Sequence, residues 1–186
     1  MKNIAPERGN LLVSEPSIIG DDSFSRSVVL LTEYNTEGVV GFILNKPLDF
    51  TLDELIPGIS LKLEVYKGGP VETDNLYFLH NIPDLIPDSH LIENDIYWGG
   101  DFHSVSKLLN EGDITSDQIK FFLGYSGWDR NQLENELDSK SWVVVENTDS
   151  KNLLSDNMHD IWKKEMKNLG GEYELWSNAP ENPSYN

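Results

Sequence analysis

At 186 residues the chain has room for one well-filled core. Hydrophobic residues at 38%, with five Trp, exclude an intrinsically disordered polymer. Fourteen Lys and Arg against 32 Asp and Glu leave a net charge of −18, a field that repels phosphate backbones and anionic membrane surfaces. The absence of cysteine removes disulfides, thiolate metal sites and cysteine nucleophiles.

The opening MKNIAPERGNLLV lacks the apolar core of a signal peptide. The longest apolar run, VVGFIL (Val39 to Leu44), is too short to span a bilayer. A cytoplasmic protein without membrane contact is expected. Ser27 to Leu44 reads as a hairpin: SVVLLTEY, a turn at NTEG and then VVGFILN, both arms rich in strand-favouring residues. Thr51 with Glu54 has the capping-box spacing and opens a short helix that Pro57 ends. LEVY (Leu63 to Tyr66) and NLYFLH (Asn75 to His80) read as strands joined through KGGPVETD. Pro83 and Pro87 make Ile82 to Glu93 a loop. HSVSKLLN (His103 to Asn110) has helical spacing, with Val105, Leu108 and Leu109 on one side.

IKFFLGYS is a further strand, followed by GWDRNQLENEL. Gly124 and Gly127 are read as the bend from strand to helix, with Trp128 plugging the corner and Asp129 as N-cap. SWVVVEN (Ser141 to Asn147) is the last strand. Ser155 opens a final helix, whose Met158, Ile161, Trp162, Met166 and Leu169 follow helical spacing until Gly170-Gly171 stops it. One domain spanning 1–186 is expected, with 172–186 an irregular tail whose beginning Trp176 pins. Strand runs with scattered helices indicate α+β with a mainly antiparallel sheet.

The segment GYSGW raises the question of a serine nucleophile. A hydrolase elbow needs G-x-S-x-G, and here the second glycine comes one position early, with Trp128 in its place. No nucleotide-binding glycine motif occurs. His80, His90, His103 and His159 lack paired metal-ligand spacing, so neither a metal nor a cofactor is expected.

FSRSVVLL (Phe24 to Leu31), VGFILNKP (Val40 to Pro47), YKGGPV (Tyr66 to Val71), YFLH (Tyr77 to His80) and GYSGWDRNQLENEL, in this order and spacing, resemble the bacterial YqgE/AlgH family from about Gly9 to Trp142. The resemblance implies an α+β fold in which a bifurcated, mainly antiparallel sheet folds into a pseudo-barrel with helices packed around it. It also implies the family's label, transcriptional regulator, to which no biochemical activity is attached. The family's usual form of the last segment is G-Y-A-G-W. Alanine thus stands where this chain has Ser126, which argues for a structural serine. Lys46 stands where the family often has arginine, keeping the charge but losing the planar fork.

The candidate ligand-binding residues are Arg26, Ser27, Asn45, Gly68, Gly69 and His80. Arg26 is one of only three arginines, and its fork suits a carboxylate or phosphate. Asn45 offers an amide at a strand end. Gly68-Gly69 before Pro70 would let backbone N–H groups approach an anion. The ordinary uses of the same residues are an internal ion pair, a turn and a satisfied core histidine. Three functions compete: a non-catalytic regulatory module holding a small anion or a protein partner, a direct DNA-binding regulator, and an enzyme using Arg26 and His80. The charge and the lack of a basic recognition element oppose the second. No nucleophile–base pair supports the third.

Overall fold

The computed structural model describes residues 4–16, 23–155 and 158–179. Strand β1 (Leu11–Ser14) pairs antiparallel with β2 (Val28–Tyr34), which turns back into β3 (Val39–Ile43) as the expected hairpin. Asn35 makes that turn: its Oδ1 accepts the N–H groups of Glu37 and Gly38 at 2.8 and 3.2 Å. Next come β4 (Pro47–Thr51) and the short helix α1 (Leu52–Leu55), opened by the Thr51–Glu54 capping box and ended before Pro57. Strand β5 (Glu64–Lys67) pairs antiparallel with β4 and parallel with β9 (Ile119–Trp128).

Strand β6 (Val71–His80) is longer than the NLYFLH run. The VETD segment belongs to it instead of to a loop. The ladder to β9 is irregular between Val71 and Leu76, and Glu72 sits at φ 47°, which breaks the alternation that marks a strand in sequence. The segment read as a loop from Ile82 to Glu93 ends in β7 (His90–Glu93). It forms a tight hairpin with β8 (Ile96–Trp98) through Asn94 and Asp95, both at positive φ.

Helix α2 (Phe102–Glu111) is capped by Asp101, whose carboxylate accepts the Ser104 N–H at 2.9 Å, and Gly112 closes it in a left-handed conformation. Helix α3 (Arg130–Asp138), strand β10 (Trp142–Val145), α4 (Ile161–Leu169) and α5 (Glu172–Ser177) complete the chain. The final long helix starts at Ile161, not Ser155, because Leu153 and Leu154 turn inward into the core first. Residues 172–177, expected to be irregular, form α5, and Trp176 on it is half exposed instead of pinning the segment. The rest of the expected tail, 180–186, lies outside the described residues.

The strands form one sheet in the order β10-β1-β2-β3-β9-β6-β8-β7, with β5 attached to β9 and β4 to β5. It is the mainly antiparallel, bifurcated α+β sheet expected, and its path does not close on itself. The branch lies within β9, where Phe121 to Leu123 run between β5 and β6 and Ser126 to Trp128 pair with β3. Gly124 marks the change of direction, at φ 69° with the Val71 carbonyl 2.7 Å from where a Cβ would stand. The bend read between Gly124 and Gly127 thus falls at Gly124, inside the strand, and Gly127 stays in the ladder opposite Val40.

Three buried clusters meet around this branch: one under α4, one under α1 and α2, and one under α3. Among the described residues no helix is long and apolar enough to cross a membrane.

Candidate functional site

Arg26 precedes β2 in a left-handed conformation, φ 51°, unusual for a side chain with a Cβ. Asn45, 8% exposed just after β3, holds it there. Asn45 Nδ2 donates to the Arg26 carbonyl at 2.9 Å, and its Oδ1 accepts the Val28 N–H at 3.0 Å. The amide expected to meet a ligand is therefore a bracket between two strand ends. From this bracket the Arg26 guanidinium lies over the Trp162 ring, 5.1 Å from its centroid, and donates to the Ala179 carbonyl at 2.8 Å. Such strain is maintained only where surrounding structure over-determines it.

Arg26, Asn45, Ser25 and Lys46 line one side of a cleft of about 180 Å³; His159, Asp160, Trp162 and Lys163 line the other. Two arms of the sequence motif, FSRS and LNKP, meet here because β2 and β3 are neighbours. Helix α4 brings the third wall, including Lys163, which lies 3.4 Å from Asp160. In a chain of net charge −18, the described residues of this cleft include two lysines, an arginine and a histidine against one carboxylate.

The other sequence candidates take structural places. Ser27 is fully buried, its Oγ donating to the Phe24 carbonyl at 2.8 Å and its N–H held by Ser14 Oγ at 2.9 Å. The Gly68 N–H donates to the Leu123 carbonyl at 2.8 Å, and its carbonyl accepts from Ile43 N–H and from Ser126 Oγ at 2.9 and 3.0 Å. Gly69 lies so close to β9 that a Cβ would stand 2.2 Å from the Tyr125 backbone. These glycines serve close strand approach, and Ser126, wholly buried, serves the same junction.

His80 stands at the other end of β6, opposite Ile119 and Tyr97. It is fully buried, its Nε2 donating to the Gly99 carbonyl at 3.2 Å and its Nδ1 accepting the Ile82 N–H at 3.3 Å. Burial pushes its pKa down, outweighing the opposite effect of the Gly99 bond. The structure thus brings Arg26 and Asn45 together at the cleft and places His80 outside it.

Sequence reasoning did not single out His159 and Lys46 as cleft residues; the triplet Lys163, Lys164 and Lys167 was the signal that α4 carries positive charge. A second missed cluster adjoins the cleft. Buried Lys120 places Nζ 3.6 Å from the Tyr66 ring centroid, the Tyr66 hydroxyl donates to Glu64, and His159 Nε2 lies 3.8 Å from the same carboxylate.

The AlgH-like family model matches residues 11–174. The chain belongs to this family. A UPF0301 protein of Cytophaga hutchinsonii is 39% identical over 96% of this chain and 98% of its own length, and one of Bacteroides thetaiotaomicron is 39% identical over 99% and 93%. Two solved structures share the fold. The Corynebacterium diphtheriae protein DIP2367 has a TM-score of 0.76 at 20% identity, covering 96% of this chain and 95% of that one. The AlgH protein from Pseudomonas aeruginosa has a TM-score of 0.71 at 24% identity, covering 98% and 100%. The open, branched sheet is therefore the architecture of AlgH-like proteins, and the Arg26–Asn45 bracket lies inside the matched span.

Proposed function

We propose that this AlgH-like chain is a non-catalytic regulatory protein of the cytoplasm that binds a small carboxylate- or phosphate-bearing ligand between Arg26, Lys46 and Lys163. The observation that carries the reading is the gathering of cationic side chains on one cleft of an otherwise strongly acidic chain. A planar guanidinium already oriented by a strained backbone and an aromatic ring loses little rotamer freedom on meeting an anion. Asp160, 3.4 Å from Lys163 in the same cleft, disfavours ligands of higher negative charge. The regulatory act goes through a protein partner, since a charge of −18 opposes close approach to DNA. His80 and Ser126 are closed off from solvent and spent in internal hydrogen bonds, so neither supports a catalytic role.

The test is thermal melting against citrate, inorganic phosphate and nucleoside phosphates, with Lys46→Ala/Lys163→Ala and Arg26→Gln variants. A ligand at a hundredfold excess over its dissociation constant stabilises by about 2.7 kcal/mol, a shift of roughly 5–10 °C for a chain of this size. The expected result is a shift in the native chain that the folded variants lose. An equal shift in the variants, or none in the native chain, overturns the proposal.

A further inference from the structure

We propose that the outer edge of β10 is a docking slot for an extended, cationic peptide segment, which adds to the sheet as a further strand. Hydrogen-bond parity decides which backbone groups of β10 face outward. Glu15 N–H donates to the Ser141 carbonyl at 2.9 Å, and the register pairs Val13 with Val143 and Leu11 with Val145. In an antiparallel ladder bonded pairs alternate with non-bonded ones, so Val143 and Val145 spend their backbone groups on β1. Trp142 and Val144 then turn their N–H and C=O groups outward, where no described residue meets them. Among the described strands, β10 ends the sheet on this side.

This edge differs from a merely exposed one. A groove of about 530 Å³ runs along it, walled by Leu137 of α3 on one side and by Tyr173 of α5 and Pro6 on the other, with Trp142, Val143 and Val144 at its base. Natural sheets block exposed edges with proline, lysine or bulges. β10 carries none within its four residues, and its register to β1 is regular. The slot supplies main-chain groups for affinity and apolar walls for alternate side chains, as strand addition requires.

Charge selects the occupant. Among the described residues, Glu15, Glu134 and Asp138 line the slot against a single cation, Lys140. A second copy pairing β10 with β10 would set these carboxylates against their own counterparts, which costs free energy. A segment alternating apolar with lysine or arginine residues satisfies walls and rim together. This site is separate from the cleft at Arg26.

The experiment uses the full chain and a fluorescent peptide alternating valine with lysine. Two controls accompany it: the same peptide with glutamate for lysine, and one with alternate backbone amides N-methylated. Anisotropy titration is expected to show binding that N-methylation, glutamate substitution and E134K/D138K each weaken by at least about tenfold. Hydrogen exchange at the Trp142 and Val144 amides is expected to slow on peptide addition while Val143 is unchanged. Val144→Pro, which removes an outward N–H and no hydrogen bond of the β1–β10 ladder, is expected to keep the fold and lose the peptide. If that variant fails to fold, the N-methylated peptide and the charge-reversed protein still decide. Equal binding of the N-methylated or the glutamate peptide, no binding of the lysine peptide, or unchanged exchange at Trp142 and Val144 overturns the proposal. So does sedimentation showing a dimer of the native chain that Val144→Pro dissolves, which would assign the edge to a second copy.

Discussion

Protonating His80 means breaking the bond from the Ile82 N–H to Nδ1 and placing a charge where solvent does not reach. Its pKa in the folded chain is therefore below the ordinary 6.5, and the unfolded chain takes up the proton first as the medium is acidified. The stability linked to this group is fully present above about pH 6.5 and is lost as the pH falls from there through the lowered value. The melting temperature of the native chain is expected to fall in that window, and His80→Gln to flatten that part of the profile. Identical slopes in the two proteins would assign the effect to other groups. Asn45 is a second residue whose role is set by its neighbours. Both ends of its amide are held by buried backbone groups, so Asn45→Ala is expected to cost about 1–3 kcal/mol in urea denaturation. Loss of anion binding without loss of stability would show that the amide faces a ligand instead.

Among the elements, α3 owes its position to Glu136, whose Oε2 accepts the indole N–H of Trp128 from β9 and of Trp142 from β10, each at 2.8 Å. One carboxylate thus ties a helix to two strands distant from each other in the sheet. Glu136→Leu is expected to cost about 1.5–3 kcal/mol by denaturant titration, with a change in tryptophan emission, and Glu136→Gln less. Equal stability of the leucine variant would mean that apolar packing alone seats the helix. The sequence showed the strong local signals: the hairpin at 27–44, the Thr51–Glu54 capping box, the periodic helix α2 and the FFLGYS strand. It hid β7 and β8, whose runs are four and three residues long, too short for an alternation to be counted. It hid the first half of β6 for the reason given by Glu72. The last helix was read too early because Met158 matches its spacing while residues 153–154 answer to the core beneath. At the cleft, Arg26 and Asn45 were legible as a pair because β2 and β3 form a local hairpin. His159 was not, since its approach depends on where α4 packs across more than a hundred intervening residues, and His80, grouped with them in sequence, is held away from the cleft by its pairing with Ile119 and Tyr97.

For the molecule as a whole, β9 is the shared member on which the buried clusters depend. Phe121 and Phe122, adjacent and both fully buried, face opposite clusters, the first toward α1 and α2 and the second toward α4. Phe122→Ala is expected to cost about 3–5 kcal/mol and to move the entire unfolding curve, the α1–α2 side included, in one transition. Two separated transitions would show that the sheet's branches unfold independently.

The position of β9 in the chain has a consequence for synthesis. Its partners β3, β5 and β6 all precede it, so every one of them leaves the ribosome before the strand that completes its pairing exists. Until residue 128 has emerged, β3 has only β2, β5 only β4 and β6 only β8 to pair with, and β1 must wait longer still for β10. At translation speeds of about 5–20 residues per second, that is several seconds in which the nascent chain exposes core surface. Folding of this protein is therefore timed from its C-terminal half, and the demand it makes on chaperones is set by how quickly residues 119–145 are delivered.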